Sequence, residues 1–403
     1  MERVLHGDER IAVADFGLDV CRDRFGGPGG EFPGLCSRRP CFVAGATGNQ
    51  IVMRVVVIGA TGNVGTALLR ALADEPAIDS VLGVARRLPA MSAMKTEWAA
   101  ADIGTDALEP LFRNADAVVS LAWRIQPSRR LNELWRTNVH GSTRVFDAAA
   151  RAGVRSLVYA SSVGAYSPGP KDRRVDESWP VDGVPTSFYA RHKAEVERRL
   201  DRFERDHPDV RVARLRPALI FQRASAEEQR RLFLGAFIPS PLLRRGLLPV
   251  MPAVRGLRFQ AVHAADAADA YRRAILGEAR GAFNVAGEPV LEAEAFATAL
   301  GVRPVSVPPR IARAGMAAAW RLRLQPSPPG WLDMGMGVPL LDTTRAREEL
   351  GWTPRRDALD TLRELLEGIR DRAGAETPPL DPDAAGPLRA RELATLAGTR
   401  EQA

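Results

Sequence analysis

A short apolar segment, a glycine-spaced loop and a helical segment follow one another near residue 60, and they restrict this chain more than any other feature. Residues 55–58 read Val-Val-Val-Ile, Gly59-Ala-Thr-Gly-Asn-Val-Gly65 comes next, and residues 66–73 have helical composition. Glycines at this spacing allow a tight turn, close approach of a phosphate to the backbone, and close packing of helix on strand. The helix start also offers unpaired N–H groups to an anion. The pattern therefore predicts a nucleotide-binding βαβ unit.

Apolar segments of strand length alternate with helical segments through the first half of the chain. Further strands are predicted at 80–85, up to Ala101-Asp102, at 116–121, 154–161 and 210–216, with helices at 131–152 and 187–206. The strands lack alternation of polar and apolar residues, so helices should cover both faces of the sheet. We expect an α/β fold, a Rossmann-type doubly wound parallel sheet with strand order 3-2-1-4-5-6, one added strand and a small C-terminal substrate lobe.

The chain divides into four parts by composition. Residues 1–53 are glycine-rich without periodicity, which predicts a disordered leader or a segment that precedes a natural start at Met53. Residues 54–216 form the predicted NAD(P)-binding Rossmann domain. Residues 217–371 are irregular and proline-rich, and we expect them to complete the fold and form the substrate lobe. Residues 372–403, rich in alanine, proline and charge, are predicted to be a flexible tail.

Composition excludes several classes of protein. The chain is 45% hydrophobic and 26% charged, which is ordinary for a globular protein. No apolar run reaches the roughly 18–20 residues that span a bilayer, and the N-terminus lacks the apolar core of a signal peptide, so we expect a cytoplasmic protein. Cys21, Cys36 and Cys41 all precede Met53 and have no histidine beside them, so no metal site is predicted. The net charge of +7 comes from arginines mixed with acids, which does not indicate nucleic-acid binding.

A tyrosine and a lysine stand four residues apart in Tyr189-Ala-Arg-His-Lys193, early in a predicted helix. This spacing places the phenol and the ammonium on one helical face. A phenol with a pKa near 10 is a poor acid or base at neutral pH, and a neighbouring ammonium lowers that pKa. Lysine is otherwise present only at Lys95 and Lys171, so its choice over arginine here indicates a need for compact charge.

Two further groups of polar residues are candidates. Ser161-Ser162 leaves the predicted fifth strand, where a serine could hydrogen-bond a substrate oxygen or simply cap the local backbone. His263 and Asp266 could form a catalytic pair, although an acid at such a position more often caps or lines a short helix.

The glycine loop, the serines and the Tyr/Lys pair, in this order, resemble the extended branch of the short-chain dehydrogenase/reductase superfamily, the NAD-dependent epimerases and dehydratases. The resemblance covers about residues 54–370. Supporting matches are Asp102-Ile103, Ser120-Leu121-Ala122, Asn138, Leu215-Arg216-Pro217, residues 259–270 and residues 348–354.

The resemblance implies a role for each matched residue. Tyr189 would be the acid/base, Lys193 would bind the ribose and lower the tyrosine pKa, and Ser162 would orient the reacting oxygen, with Asn138 completing the catalytic set. Ser167 stands where many sugar-nucleotide members have glycine, which argues against a nucleotide sugar. The implied cofactor-binding residues are Gly59, Thr61, Gly62, Asn63, Val64, Gly65, Asp102, Ile103, Leu121 and Ala122, together with Tyr189 and Lys193.

The second predicted strand ends in Arg86-Arg87 and carries no carboxylate. NAD-preferring proteins commonly place an acid there for the ribose 2′-hydroxyl, whereas two guanidiniums could bind a 2′-phosphate. We therefore expect NADP, with NAD as the alternative if these arginines are only surface residues.

The sequence thus predicts an NAD(P)-dependent oxidoreductase that transfers hydride at a secondary alcohol or ketone. A sugar-nucleotide epimerase or dehydratase is the alternative, and a non-catalytic dinucleotide-sensing protein is an alternative of another class. The expected partner is a small-molecule substrate, without nucleic acid or membrane. Residues 311–324 fit a packed helix edge or a homodimer contact better than a membrane-surface helix.

Overall fold

A computed structural model describes residues 52–125, 130–233, 250–324 and 327–383. Of the predicted leader, only residues 52 and 53 fall within the described part of the chain. Of the predicted tail, residues 384–403 lie outside it.

The strands and helices alternate along most of the described chain. The strands are β1 (Met53–Ile58), β2 (Ile78–Ala85), β3 (Thr96–Ala100), β4 (Ala117–Ser120), β5 (Ser156–Ala160), β6 (Arg174–Val175), β7 (Arg211–Pro217), β8 (Leu219–Phe221), β9 (Val250–Val254), β10 (Arg258–Phe259), β11 (Ala261–His263), β12 (Gly281–Val285), β13 (Leu291–Glu292), β14 (Arg303–Val307) and β15 (Leu340–Leu341). The helices are α1 (Asn63–Ala73), α2 (Glu109–Phe112), α3 (Leu131–Trp135), α4 (Gly141–Arg151), α5 (Phe188–Asp206), α6 (Ala226–Phe233), α7 (Ala264–Leu276), α8 (Glu294–Leu300), α9 (Pro309–Arg321), α10 (Gly330–Gly337), α11 (Thr344–Glu349) and α12 (Ala358–Arg370).

The central sheet contains seven strands in the order β3-β2-β1-β4-β5-β7-β12, and every neighbouring pair is parallel. This is the predicted order 3-2-1-4-5-6, with β7 as the sixth strand and β12 as the added one. The Rossmann-type doubly wound fold is therefore confirmed.

Both faces of this sheet are buried under helices. Val55 and Val57 of β1 pack into a core with α1 and α7, whereas Val56 and Ile58 pack into a second core on the opposite face with α4 and α5. Because alternate side chains of a strand point to opposite faces, a strand covered on both sides must be apolar throughout.

The chain beyond residue 217 contributes both to the layers of the central sheet and to a separate group of short strands and helices. β12 and α7 belong to the main layers, where α7 packs along α1. The short strand pairs β8–β11, β9–β14 and β10–β13 lie outside the central sheet. A separate apolar core joins α6, α8 and α12 to the short strands.

One predicted helix is interrupted. Residues 131–152 were expected to form a single helix, but a π-helical turn at Arg136–His140 separates α3 from α4. The turn contains Asn138, which is fully buried. Such π-helical turns occur often at functional sites because they redirect a side chain without ending the helix.

Within the described ranges, the helices are all too short or too polar to cross a bilayer. The cytoplasmic location and the homodimer stay predictions.

Candidate active site

The glycine loop lies at the carboxyl end of β1, and two of its glycines are required by their surroundings. Gly59 has a φ of +82°, and a Cβ there would lie 2.8 Å from the backbone nitrogen of Ala122. A Cβ on Gly65 would lie 2.4 Å from the carbonyl oxygen of Gly59. No side chain fits at either distance, so the turn and the start of α1 both depend on glycine.

The start of α1 fits an anion. Gly62 is the N-cap and supplies no side-chain cap, and the first turn contains no acidic residue. The N–H groups of residues 63–65 have no acceptor among the described residues. A Cβ on Gly62 would meet Gly59 alone, at 3.4 Å, so this side of the loop is open. These features suit the pyrophosphate of a dinucleotide.

Several of the predicted cofactor-binding residues turn their side chains elsewhere. Asn63 donates from Nδ2 to the carbonyl of Ile220 at 2.9 Å, and Gln222 donates from Nε2 to Asn63 Oδ1 at 2.9 Å. Val64 packs against the core beside α1, and Ile103 packs against α4. Thr61 is also buried, at 5% exposure. These positions therefore leave mainly their backbone for a cofactor.

Helix α5 brings Tyr189 and Lys193 to the carboxyl end of β5. Ser187 caps the helix by accepting a hydrogen bond from the N–H of Ala190 at 3.3 Å. Tyr189 is then the second helical residue, and Lys193 follows one turn later. Lys193 Nζ donates to the carbonyl of Ala160, the last residue of β5, at 2.7 Å. It lies 5.9 Å from the centre of the Tyr189 ring.

Burial disfavours the charged form of both groups. Burial raises the pKa of Tyr189 to about 12, although the Ser162 side chain acts to lower it. Burial lowers the pKa of Lys193 to about 7, although the attraction of Glu197 acts to raise it. An ammonium and a developing phenolate on one helical face stabilise each other, so the pair can exchange a proton with a bound oxygen more readily than either group alone.

The two serines after β5 have different partners. Ser162 Oγ accepts from the N–H of Gly164 at 3.0 Å, the Tyr189 ring packs against that same glycine, and Ser162 acts to lower the pKa of Tyr189. Ser161 Oγ donates to Glu197 Oε1 at 2.5 Å. Of the two hydroxyls, Ser162 is therefore the one placed beside the tyrosine.

A buried ion cluster supports this end of α5. Glu197, with no exposed surface, accepts from Arg216 through both oxygens, at 2.9 and 3.0 Å, and from Arg214 at 2.8 Å. Although burial alone would raise the pKa of the Glu197 carboxyl, these arginines and Ser161 hold it at about 2. The sequence marked Arg216 by resemblance, but gave no sign that Glu197 would lie opposite it.

Asn138 holds the segment that follows β4. Its Oδ1 accepts from the N–H of Arg124 at 2.8 Å, and its Nδ2 donates to the carbonyl of the same residue at 3.1 Å. Leu121 and Ala122, in the same segment, lie beside the glycine loop: the N–H of Leu121 donates to Ile58 at 2.9 Å. Asn138 thus fixes a stretch of backbone that lies beside the glycine loop.

Two tryptophans enclose Tyr189, and sequence reasoning did not find either. The Trp123 ring lies 5.9 Å from the Tyr189 ring in an edge-on arrangement, and the Trp331 ring of α10 lies 5.3 Å away. Trp123 directly follows Leu121-Ala122, which the resemblance gave as cofactor-binding residues, so its place near the site could have been predicted. Nothing in the sequence around Trp331 pointed to the site.

Arg86 and Arg87 lie at the end of β2 and are exposed. Neither makes a hydrogen bond or ion pair with another described residue. Desolvation and repulsion from Arg124 lower the pKa of Arg86, while Asp102 acts in the opposite direction. Asp102 itself accepts from the N–H of Gly104 at 2.8 Å. Burial lowers the pKa of Arg87 and Asp381 likewise acts to raise it, so two arginines lie here near carboxylates but without an ion pair in the described chain.

His263 and Asp266 do not form a catalytic pair. His263 caps α7 by accepting from the N–H of Ala265 at 3.0 Å, and its other nitrogen lies 3.3 Å from Glu364. Asp266 instead accepts from the N–H groups of Arg355 and Arg356. The described part of the chain contains no cluster of histidine, cysteine or acidic residues suited to a metal.

A doubly wound sheet with a glycine loop at one strand end and a Tyr/Lys pair beside it defines a class of dinucleotide-dependent enzymes. Residues 55–286, more than half of the chain, match the NAD dependent epimerase/dehydratase family. The chain belongs to that family.

Characterised relatives of different activity are similar to this chain. The NAD-dependent glucose-6-phosphate dehydrogenase of Haloferax volcanii is 32% identical over 200 residues, which are 44% of this chain and 72% of that protein. The UDP-glucose 4-epimerase of Mycolicibacterium smegmatis is 27% identical over 335 residues, 80% of this chain and all 100% of that protein. Among solved structures, the UDP-glucose 4-epimerase of Stenotrophomonas maltophila with bound NAD and formylated UDP-arabinopyranose superposes with a TM-score of 0.61. It is 21% identical and covers 79% of this chain and 98% of its own, which supports the shared fold.

Proposed function

We propose that this enzyme transfers hydride between a nicotinamide dinucleotide and a carbon that bears a secondary alcohol or ketone, with Tyr189 moving the proton. The observation that carries the proposal is the meeting of Tyr189, Ser162 and Lys193 at the carboxyl end of β5, next to the glycine loop. Ligands bind at this edge of doubly wound sheets.

Each residue has a distinct part in the proposed chemistry. Tyr189 donates a proton to the substrate oxygen during reduction and accepts it during oxidation. Ser162 hydrogen-bonds the same oxygen and orients it. Lys193 stabilises the Tyr189 phenolate, which forms when the proton is donated in reduction and which acts as the base in oxidation. The two indoles and Met334, close to Gly164 and Tyr189, exclude water from the reacting group.

The dinucleotide, when bound, supplies or accepts the hydride. The N–H groups at the start of α1 would hold its pyrophosphate, and the ammonium of Lys193 would bind a ribose. Asp102 and Ile103 would contact the adenine, and Leu121 and Ala122 would line the cofactor.

The proposed cofactor is NADP, with NAD as the alternative. Arg86 and Arg87 are exposed and make no hydrogen bond or ion pair with another described residue, which favours a 2′-phosphate, whereas the solved Stenotrophomonas epimerase holds NAD. The double variant Arg86→Ala/Arg87→Ala should bind NADPH at least about ten-fold more weakly, as lost charge-assisted bonds to phosphate predict. Binding of NADH, measured by fluorescence titration, should change little. Equal loss for both dinucleotides would remove the basis for NADP.

A sugar-nucleotide epimerase or dehydratase is a second candidate. The full-length similarity to the Mycolicibacterium epimerase favours it, and the same Tyr/Lys pair would serve it. Such an enzyme regenerates its dinucleotide within one turnover and retains it. Mass spectrometry of nucleotide released from the denatured protein separates the two: tightly held dinucleotide favours the epimerase or dehydratase, and exchangeable dinucleotide favours the net oxidoreductase.

The variant Tyr189→Phe tests the proposal against a non-catalytic dinucleotide sensor. It should lower kcat by at least about a thousand-fold, since it removes the acid/base, while dinucleotide affinity stays close to that of the wild type. Tyr271→Phe is the matched control, because the Tyr271 hydroxyl is buried on α7 with no partner in the described chain. Turnover at the wild-type rate in Tyr189→Phe would contradict the proposed mechanism.

A further inference from the structure

The buried ammonium of Lys193 lies directly over an indole ring. Its Nζ is 3.6 Å from the centre of the Trp123 ring, much nearer than the rings of Tyr159 at 5.3 Å and Tyr189 at 5.9 Å. Cations within about 6 Å of a tryptophan face are attracted by the negative face of the ring, and more strongly when desolvated. Lys193 is only 3% exposed, so this contact is desolvated.

Other groups around Lys193 give it little charge compensation. Within the described ranges, its single hydrogen-bond acceptor is the carbonyl of Ala160. The titratable groups that face it or its partner Tyr189 are Glu197 on the same helix, Tyr159 of β5 and Tyr271 of α7. Glu197 attracts Lys193 from a distance, but its oxygens are taken by Arg214, Arg216 and Ser161. The tyrosines are neutral at physiological pH, since burial raises the pKa of each.

The backbone on both sides of Trp123 is fixed. Ala122 packs against Gly59 so closely that a Cβ on the glycine would overlap it. Arg124 is held through both its N–H and its carbonyl by the side chain of Asn138. The indole is therefore presented to Lys193 by a rigid segment, and Asn138 supports that placement.

We propose that Trp123 is a positioning residue for the proposed Tyr/Lys chemistry, and that its indole face keeps Lys193 in the ammonium form beside Tyr189. This inference rests on the proposed function, because it concerns the charge that Tyr189 needs nearby. Tyr189 is the residue that moves the proton, and Trp123 acts through Lys193.

The chain permits a direct test, because Lys95, Lys171 and Lys193 are its only lysines. NMR of protein labelled with ¹³C at the lysine ε-carbons gives three signals, which Lys95→Arg and Lys171→Arg variants assign. The pKa of Lys193 is then read by titration, with and without added dinucleotide. Trp123→Leu should lower it by about one pH unit in both states, the size expected for a desolvated cation–π contact. Trp123→Phe keeps an aromatic face and should lower it less.

Trp331→Leu is the matched control. Trp331 also packs on Tyr189, but it makes no described contact with Lys193, so the Lys193 titration should stay within a few tenths of a pH unit. In Trp123→Leu the fall of kcat/KM at alkaline pH should begin about one pH unit lower, because the Lys193 ammonium deprotonates at a lower pH. An unchanged Lys193 pKa in both Trp123 variants would overturn the inference. Since the titration needs no turnover, that result is distinguishable from a failure of Tyr189→Phe to stop the reaction.

Discussion

At the scale of single residues, the charged groups expected to affect stability most are the buried ones around Glu197. Glu197 is surrounded by Arg214, Arg216 and Ser161, and it lies one helical turn beyond Lys193. Breaking such a buried pair leaves an uncompensated charge, which costs far more than losing a surface pair. The cluster also binds the hydroxyl of Ser161, the residue before Ser162.

Replacing Glu197 by Gln should therefore lower the free energy of unfolding by about 3 kcal/mol at pH 7, measured by urea denaturation. The folded-state pKa is depressed to about 2, so the carboxylate binds fewer protons in the folded than in the unfolded protein. Its stabilisation is thus present above about pH 4.5 and is lost as pH falls through about 2, and the variant should lack this dependence. Glu195→Gln, which removes surface ion pairs on the same helix, should cost under about 1 kcal/mol. Similar losses in both variants would contradict the buried cluster.

At the scale of elements, the contact between β1 and α1 decides whether a phosphate can reach the backbone. Gly65 touches the carbonyls of Gly59 and Ala60 with no room for a methyl group. Any larger residue must push the helix away from the strand, and with it the N–H groups of residues 63–65. The close packing of α1 on the end of β1 therefore depends on the absence of a side chain at Gly65.

Gly65→Ala should consequently weaken dinucleotide binding by at least about ten-fold, measured by calorimetric titration, because the helix start is displaced. Gly153→Ala is a control of a different kind. Gly153 has a φ of +73° but no atom within 4 Å of its Cβ position. That variant should lose about 1 kcal/mol of stability from backbone strain and bind dinucleotide as the wild type does. Normal affinity in Gly65→Ala would show that the helix start is not the phosphate site.

At the scale of the whole molecule, the last part of the described chain returns to the main sheet layers. Trp352, which is 1% exposed, donates from Nε1 to the carbonyl of Asp266 at 2.8 Å. The Asp266 carboxylate accepts from the N–H groups of Arg355 and Arg356 at 3.1 and 3.0 Å. Trp352, within the matched residues 348–354, and the nearby Arg355 and Arg356 thus anchor this part of the chain to α7, which in turn packs on α1 of the nucleotide-binding unit.

Asp266→Ala should lower the free energy of unfolding by about 2–3 kcal/mol, because two charge-assisted hydrogen bonds are lost. Asp266→Asn retains one acceptor oxygen and should lose less. Both should keep kcat near the wild-type value, since Asp266 is not in the site. Thermal unfolding followed by circular dichroism measures the difference, and equal stability of wild type and Asp266→Ala would exclude the anchoring role.

The sequence allowed much of the fold to be predicted because the relevant signals are local. Runs such as residues 55–58 are apolar throughout, so they had to be strands covered on both faces, and their alternation with helices implied a parallel sheet. The Tyr189–Lys193 spacing placed both groups on one face of α5 without any knowledge of the rest. The glycine spacing likewise implied the turn before α1 was seen.

Side-chain directions and distant pairings could only be decided by the tertiary structure. The resemblance gave Asn63 as a cofactor-binding residue, and only the structure shows that its side chain joins the loop to Ile220 and Gln222, because β8 packs beside α1. The contact between Trp123 and Lys193 joins two segments far apart in the chain, and no local pattern encodes it. Periodicity in a sequence determines which face a residue occupies, whereas its neighbour across the fold is determined by how separate elements pack.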